Sequence, residues 1–153
     1  MLGFKKMKIK SGIKLLEEIQ GSGLIAERGD NLTYNVRAFL SKGDEINFNK
    51  IPEADRAKHP PEIFNMQDGY EFINFRATLG KRDAFAGIEY SLYGMREGGY
   101  RKVKVAPHLA FREGGDNVPA KAVVTFHIWL RKVSKKAQPT NSPYSSPAAG
   151  SKR

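Results

Sequence analysis

Apolar side chains recur at every second position through much of the chain. Between Leu32 and Leu40 one face would carry Leu32, Tyr34, Val36, Ala38 and Leu40, and between Ala122 and Leu130 one face would carry Ala122, Val124, Phe126, Ile128 and Leu130. From Tyr100 to Ala106, Val103 and Val105 alternate with Lys102 and Lys104. A period of two marks a half-buried strand, and short polar connections point to antiparallel pairing. Ile13–Ile19 and Tyr70–Ala77 are weaker strand candidates. One stretch has a period near 3.6: over Asp83–Tyr93 the pattern predicts a short helix with Asp83 as N-cap and Phe85, Ile88 and Leu92 on one face. The order of strands, one helix, then strands predicts an α+β domain with one sheet face packed on the helix.

Turn signals separate these segments at Gly21–Gly23, Gly29–Asn31, Lys42–Asp44, Glu97–Gly99 and Gly114–Asn117. Residues 48–69 fit no strand pattern, because Pro52, Pro60 and Pro61 interrupt them and charges crowd their first half. They read as a long connection, a kind of segment that is more often functional or mobile than inert. Residues 134–153 are rich in Ser, Pro and Ala with a single aromatic, and predict a disordered tail after a domain spanning 1–133.

The charge changes this picture less than its total suggests. The 153 residues carry 26 Lys and Arg against 16 Asp and Glu, a net +10. Residues 1–14 hold five lysines and no acid, and residues 134–153 hold four basic residues and no acid. The body between them holds 17 basic and 16 acidic residues, so the excess belongs to the ends. A nearly neutral body argues against a dedicated nucleic-acid fold and leaves salt-sensitive contacts to the termini. The absence of cysteine excludes a disulfide scaffold and any thiolate nucleophile or metal ligand. His59, His108 and His127 are dispersed without ligand spacing, so no metal is expected. No apolar run reaches the ~20 residues of a membrane span, and a cytoplasmic protein is the expectation. Gly21–Gly23 and Gly80–Arg82 lack the context of phosphate loops and read as turns. Trp129 falls opposite the inward face of its strand, as a surface or sheet-edge aromatic.

The second half of the chain carries a resemblance. From Gly87 to Phe111, the run through Gly94, Met95, Gly98 and Gly99 to Ala106, Pro107, Ala110 and Phe111 resembles the FKBP-type peptidyl-prolyl isomerases. The likeness extends through Val118–Leu130 and upstream through Leu79–Gly87, and covers roughly residues 12–47 and 75–133. It implies an FKBP-like curved antiparallel sheet wrapped around one short helix. It also implies rotation about X–Pro bonds of protein clients in folding, without a cofactor.

That chemistry breaks no covalent bond. The peptide barrier of ~18–20 kcal/mol is lowered by an apolar pocket that holds the prolyl ring and favours the twisted amide. No nucleophile or acid–base residue is then required. The resemblance places the substrate pocket on Val36, Ile46, Asn47, Phe75, Ala84, Phe85, Ile88, Phe111, Val118 and Phe126, with the Phe85 backbone N–H as a peptide donor. Several positions depart from the family. Val36 stands for a Tyr, Ile46 for a Phe, Asn47 for an Asp, Ile88 for the Trp of the pocket floor, and Phe111 for a Tyr whose hydroxyl donates to ligand. These changes keep the pocket apolar and strip most of its polar handles. The expectation is an isomerase of reduced activity with poor macrolide binding; the alternative is a non-catalytic FKBP-like module that holds a protein partner. The connection at 48–74, longer than the family's, either covers the site or adds a peptide-binding surface with Ile63, Phe64 and Met66, or packs them on its own domain.

Overall fold

The computed structural model describes residues 7–111, 114–115 and 118–136. Among the described residues, nine strands and two α-helices follow one another: β1 Met7–Lys10, β2 Ile13–Ile19, β3 Asn31–Leu40, β4 Glu45–Ile46, α1 Glu53–Arg56, β5 Phe64–Gln67, β6 Tyr70–Ile73, β7 Phe75–Thr78, α2 Ala86–Leu92, β8 Tyr100–Val105 and β9 Val124–Ser134, with short 3-10 turns at Pro61–Ile63 and Pro107–Leu109. Seven strands form one antiparallel sheet in the order β1-β2-β8-β9-β3-β4, with β7 also paired to β3; β5 and β6 form a separate hairpin. The central pair, β3 and β9, joins residues almost a hundred positions apart, such as Tyr34 with Leu130 and Ala38 with Phe126. Such pairing must offset a large loop-closure entropy, and the buried face does so.

That inner face is the alternating set of the sequence. Leu32, Tyr34, Val36 and Ala38 of β3 are at most 5% exposed, and Val124, Phe126, Ile128 and Leu130 of β9 are fully buried. Val103 and Val105 continue the layer on β8, Ile13 and Leu15 on β2, and Ile88 and Leu92 of α2 close it from inside the curve.

The predicted helix starts later than its pattern suggests. Phe85 occupies the N-cap position of α2 without a side-chain cap. Asp83 lies two residues too early; its carboxylate accepts the Thr78 N–H at 2.8 Å and ties the loop back to β7. At the other end, Arg101 donates to the carbonyls of Ser91 and Tyr93 at 2.9 Å, satisfying acceptors that a helix terminus leaves free.

The 48–69 connection is also more ordered than expected. It contains α1 and β5, and β5 pairs with β6 through Phe64–Ile73 and Gln67–Tyr70. The predicted single strand Tyr70–Ala77 breaks at Asn74 into β6 and β7. Phe72 packs on Trp129 of the outer sheet face (ring centroids 5.1 Å apart), while Ala77, of opposite parity along the chain, lies in the core. Buried Asn35 anchors the hairpin there: its amide donates to Ile73 O and Asn74 Oδ1, and its Oδ1 accepts from Asn65 and Arg131. Phe72 and Asn35 dock this hairpin on its own domain. Ile63 and Phe64 are half-buried, and Met66 stays 62% exposed. Trp129 sits on an interior strand flanked by β3 and β8, half-buried under Phe72, and not at a sheet edge.

At the chain's other end, β9 continues to Ser134, inside the segment predicted as tail. Residues 137–153 of that tail lie outside the described residues. Lys135 donates to Asp30 at 2.6 Å and to Glu27 at 3.0 Å, which fastens the end of β9 beside the start of β3. Burial works against the Asp30 carboxylate, but the hydrogen bonds from Lys135 and the N–H groups of Glu27 and Lys136 outweigh it and hold its pKa below the ordinary 3.8. A depressed folded pKa adds stability above the unfolded value and loses it as pH falls through the folded one. Urea midpoints are therefore expected to drop as pH is lowered from about 5 toward 2, with Asp30→Asn flattening that slope. An unchanged slope in the variant would remove Asp30 from the acid response.

No helix among the described residues is long and apolar enough to cross a membrane.

Candidate functional site

Between the inner face of β3 and the start of α2 lies a cavity of about 530 Å³ lined by Tyr34, Val36, Phe48, Phe75, Asp83, Ala84, Phe85 and Ile88. Alternation on β3 directs Tyr34 and Val36 into it, β7 supplies Phe75, and the turn into α2 supplies Ala84 and Phe85. Ile88, one turn along α2 and 2% exposed, forms its floor. Phe48 enters from the first residues of the long connection. Its ring lies 6.0 Å from Phe85, 5.8 Å from Phe111 and 6.1 Å from Phe126. Phe85 and Phe111 are closer still, at 4.7 Å and 57° between planes. Tilted aromatic contacts at these separations are mutually attractive and hold the wall in shape.

Five of the ten residues given by the resemblance therefore stand on this wall: Val36, Phe75, Ala84, Phe85 and Ile88. Phe111 and fully buried Phe126 back it through Phe48 and Phe85. Three stand elsewhere. Ile46 is half-buried against the core, and Val118 is buried in the loop before β9. Asn47 is exposed and its Oδ1 accepts the Asn49 N–H at 2.8 Å, so it points along the connection. Phe48 and Tyr34 were missed. Tyr34 belongs to the alternating face already read, two positions before Val36. Phe48 lies in the bend beyond β4, where strand alternation gives no signal.

Asn49, 7% exposed, explains how Phe48 is placed. Its amide donates to Val36 O at 2.8 Å, and its Oδ1 accepts the Ile73 N–H at 2.9 Å. It thereby bridges the gap on the β3 edge between β7 and β4 and pins the backbone next to Phe48.

Polar groups are few. The Tyr34 phenol is raised to about 12, chiefly by burial and then by the Asp83 and Glu89 carboxylates, so it stays neutral at physiological pH. The Asp83 carboxylate, at the exposed mouth, is committed to Thr78. The Phe85 N–H has no acceptor among the described residues. A slot walled by aromatic and aliphatic side chains, with the Asp83 carboxylate at its mouth bonded to Thr78, can desolvate an apolar ring.

Comparison with known proteins agrees with that geometry. The sequence profile of the FKBP-type peptidyl-prolyl cis-trans isomerases matches residues 24–131. The chain belongs to this family. It is 25% identical over 128 residues to FK506-binding protein 4 of Chaetomium thermophilum, covering 83% of this chain and 22% of that protein. It is also 27% identical over 122 residues to FK506-binding protein 1A of Neurospora crassa, covering 78% of this chain and 86% of that protein. The chain thus spans about a fifth of the longer relative and most of the shorter. Among solved structures, the N-terminal domain of FKBP42 from Arabidopsis thaliana superposes with a TM-score of 0.63 at 15% identity, covering 88% of this chain and 96% of that one. The shared fold is the FKBP-like curved sheet around a short helix.

Proposed function

We propose that this FKBP-family chain binds proline-containing segments of other proteins in the Phe48–Phe75–Phe85 cavity and accelerates X–Pro rotation weakly. The observation that carries this reading is the aromatic slot itself, about 530 Å³ and floored by Ile88. Burying the prolyl ring strips water from the adjoining amide, and an apolar environment favours the twisted amide, whose charge separation is smaller, over both planar forms. The Phe85 N–H is placed to hold the peptide carbonyl on one side. Catalysis is weak in this reading because the polar handles are missing. The side chains of Ile88 and Phe111 offer no hydrogen bond, and Asn47 does not line the cavity. Each lost neutral hydrogen bond removes about 0.5–1.5 kcal/mol, and the same losses weaken a macrolide as much as a peptide.

NMR exchange spectroscopy on X–Pro peptides tests this. Cis–trans exchange is expected above the uncatalysed rate, reduced about tenfold by Phe85→Ala, which removes one aromatic wall. Exchange at the uncatalysed rate with every peptide would overturn the enzymatic reading. The absence of Asn47 from the cavity wall favours a second reading, a non-catalytic module, which would still show chemical-shift changes at Phe75 and Ile88 on peptide addition.

A further inference from the structure

A second cavity, about 540 Å³, opens on the other side of the loop into α2 and shares Ala84 with the prolyl slot. It is lined by Lys10 of β1, by Arg28, by Arg82 and by Glu89, Tyr90 and Tyr93 of and after α2. None of the three cations forms an ion pair among the described residues. The Arg28 guanidinium lies over Gly80, where a Cβ would come within 3.2 Å of its Cζ. The Lys10 ammonium sits 4.6 Å from the centre of the Tyr90 ring. Arg82 takes φ 60°, a left-handed conformation uncommon for a side-chain-bearing residue, at the lip.

Glu89 is held in place from within the fold. It is 9% exposed, and its Oε2 accepts the Gly80 N–H at 2.8 Å. Its Oε1 is buried and has no hydrogen-bond partner among the described residues. Among the described residues, Glu89 is thus the one acid lining a cavity otherwise ringed by cations. The cavity therefore asks for a ligand whose negative charge meets Lys10, Arg28 and Arg82. Three cations and one carboxylate leave a local +2, which a phosphomonoester of charge about −1.5 to −2 matches better than a carboxylate.

We infer that this cavity binds a phosphorylated side chain of the same peptide whose proline occupies the adjoining slot. The inference rests on the prolyl reading above and adds a selectivity to it. The shared Ala84 places the two sites within a few residues of extended chain, at ~3.3–3.6 Å per residue.

Isothermal titration of the full chain with matched peptides tests it, using serine or phosphoserine one to three residues from the proline. In at least one register phosphorylation is expected to tighten binding about tenfold, the gain of one or two charge-assisted contacts. Arg28→Gln combined with Arg82→Gln is expected to abolish that gain while leaving the serine peptide's affinity unchanged. Lys104→Gln, on the opposite sheet face, keeps it. No gain in any register, or a gain that survives the double variant, overturns the site. A phosphoserine peptide with alanine for proline separates the two sites: loss of affinity supports one peptide spanning both. Equal affinity shows that the phosphate site stands while the prolyl reading fails. Binding of inorganic phosphate at the same arginines with no gain for any phosphopeptide overturns the peptide source.

Discussion

Replacing Phe126 by Ala is expected to cost about 3–5 kcal/mol of folding stability, a large part of the ~5–15 kcal/mol a domain of this size possesses. The ring is fully buried at the centre of β9, between Ala38 on one neighbouring strand and Val103 on the other. Neither neighbour is large enough to collapse into the space, so the loss combines the transfer of the ring with the cavity left behind. Urea unfolding checks this: the midpoint falls with little change in slope. A loss below about 1 kcal/mol would mean that the sheet can repack around β9, contrary to the burial seen there. The same change reaches the prolyl slot, because Phe48 rests on Phe126 at 6.1 Å and loses its support. At a urea-free temperature where the variant remains folded, peptide affinity is therefore expected to drop although Phe126 does not line the cavity.

That separation between core and wall shows what the sequence reveals. Strand alternation located β2, β3, β8 and β9 because one buried face imposes a period of two and a slip of one residue would expose it. The same alternation placed Tyr34 and Val36 together, since the slot is a continuation of the core face. It could not reveal Phe48. That residue follows β4 and is held in place by Asn49, which bonds Val36 and Ile73 from 13 and 24 positions away. Nor could it reveal the hairpin, whose residues alternate poorly because β5 carries two half-buried and two exposed positions. Its order comes from contacts made by β6 and β3, Phe72 on Trp129 and Asn35 on Ile73. The break at Asn74 is a long-range effect of the same kind: β6 pairs with β5 and β7 with β3, and a local pattern that cannot see these partners reads them as one strand. Asp83 was misread for a local reason. An Asp before an apolar period reads as an N-cap, but the Thr78 N–H five residues back competes for the same carboxylate.

Gly21→Ala is expected to be the second severe lesion, at about 3 kcal/mol or more, the upper end of what overpacking costs. A Cβ there would fall 2.3 Å from Glu97 O, 2.5 Å from Gly99 N and 2.7 Å from Arg96 O. All three are backbone atoms, and none can rotate away as a side chain would. They also cannot retreat together. The segment after Gly21 is stitched to this turn by Gly23 N–H to Glu97 O, Glu97 N–H to Leu24 O and Ala26 N–H to Met95 O, at 2.8–3.1 Å. The turn in its own right is held on β9 by the paired bonds between Gly98 or Gly99 and Leu130. Opening the first contact therefore strains the second, and the strain lies at the entrance to β8, where Tyr100 begins the pairing with Ile19 and Trp129. A neighbouring glycine gives the control. At Gly43 a Cβ meets nothing within 4 Å, so Gly43→Ala disturbs only a left-handed φ of 100° in an exposed turn. Thermal unfolding of the two variants should separate them clearly, Gly43→Ala costing roughly 1 kcal/mol as a backbone conformation forced on alanine. Equal losses would show that steric contact between the 21–26 segment and the 95–99 turn does not govern stability, and that both glycines act only through backbone freedom.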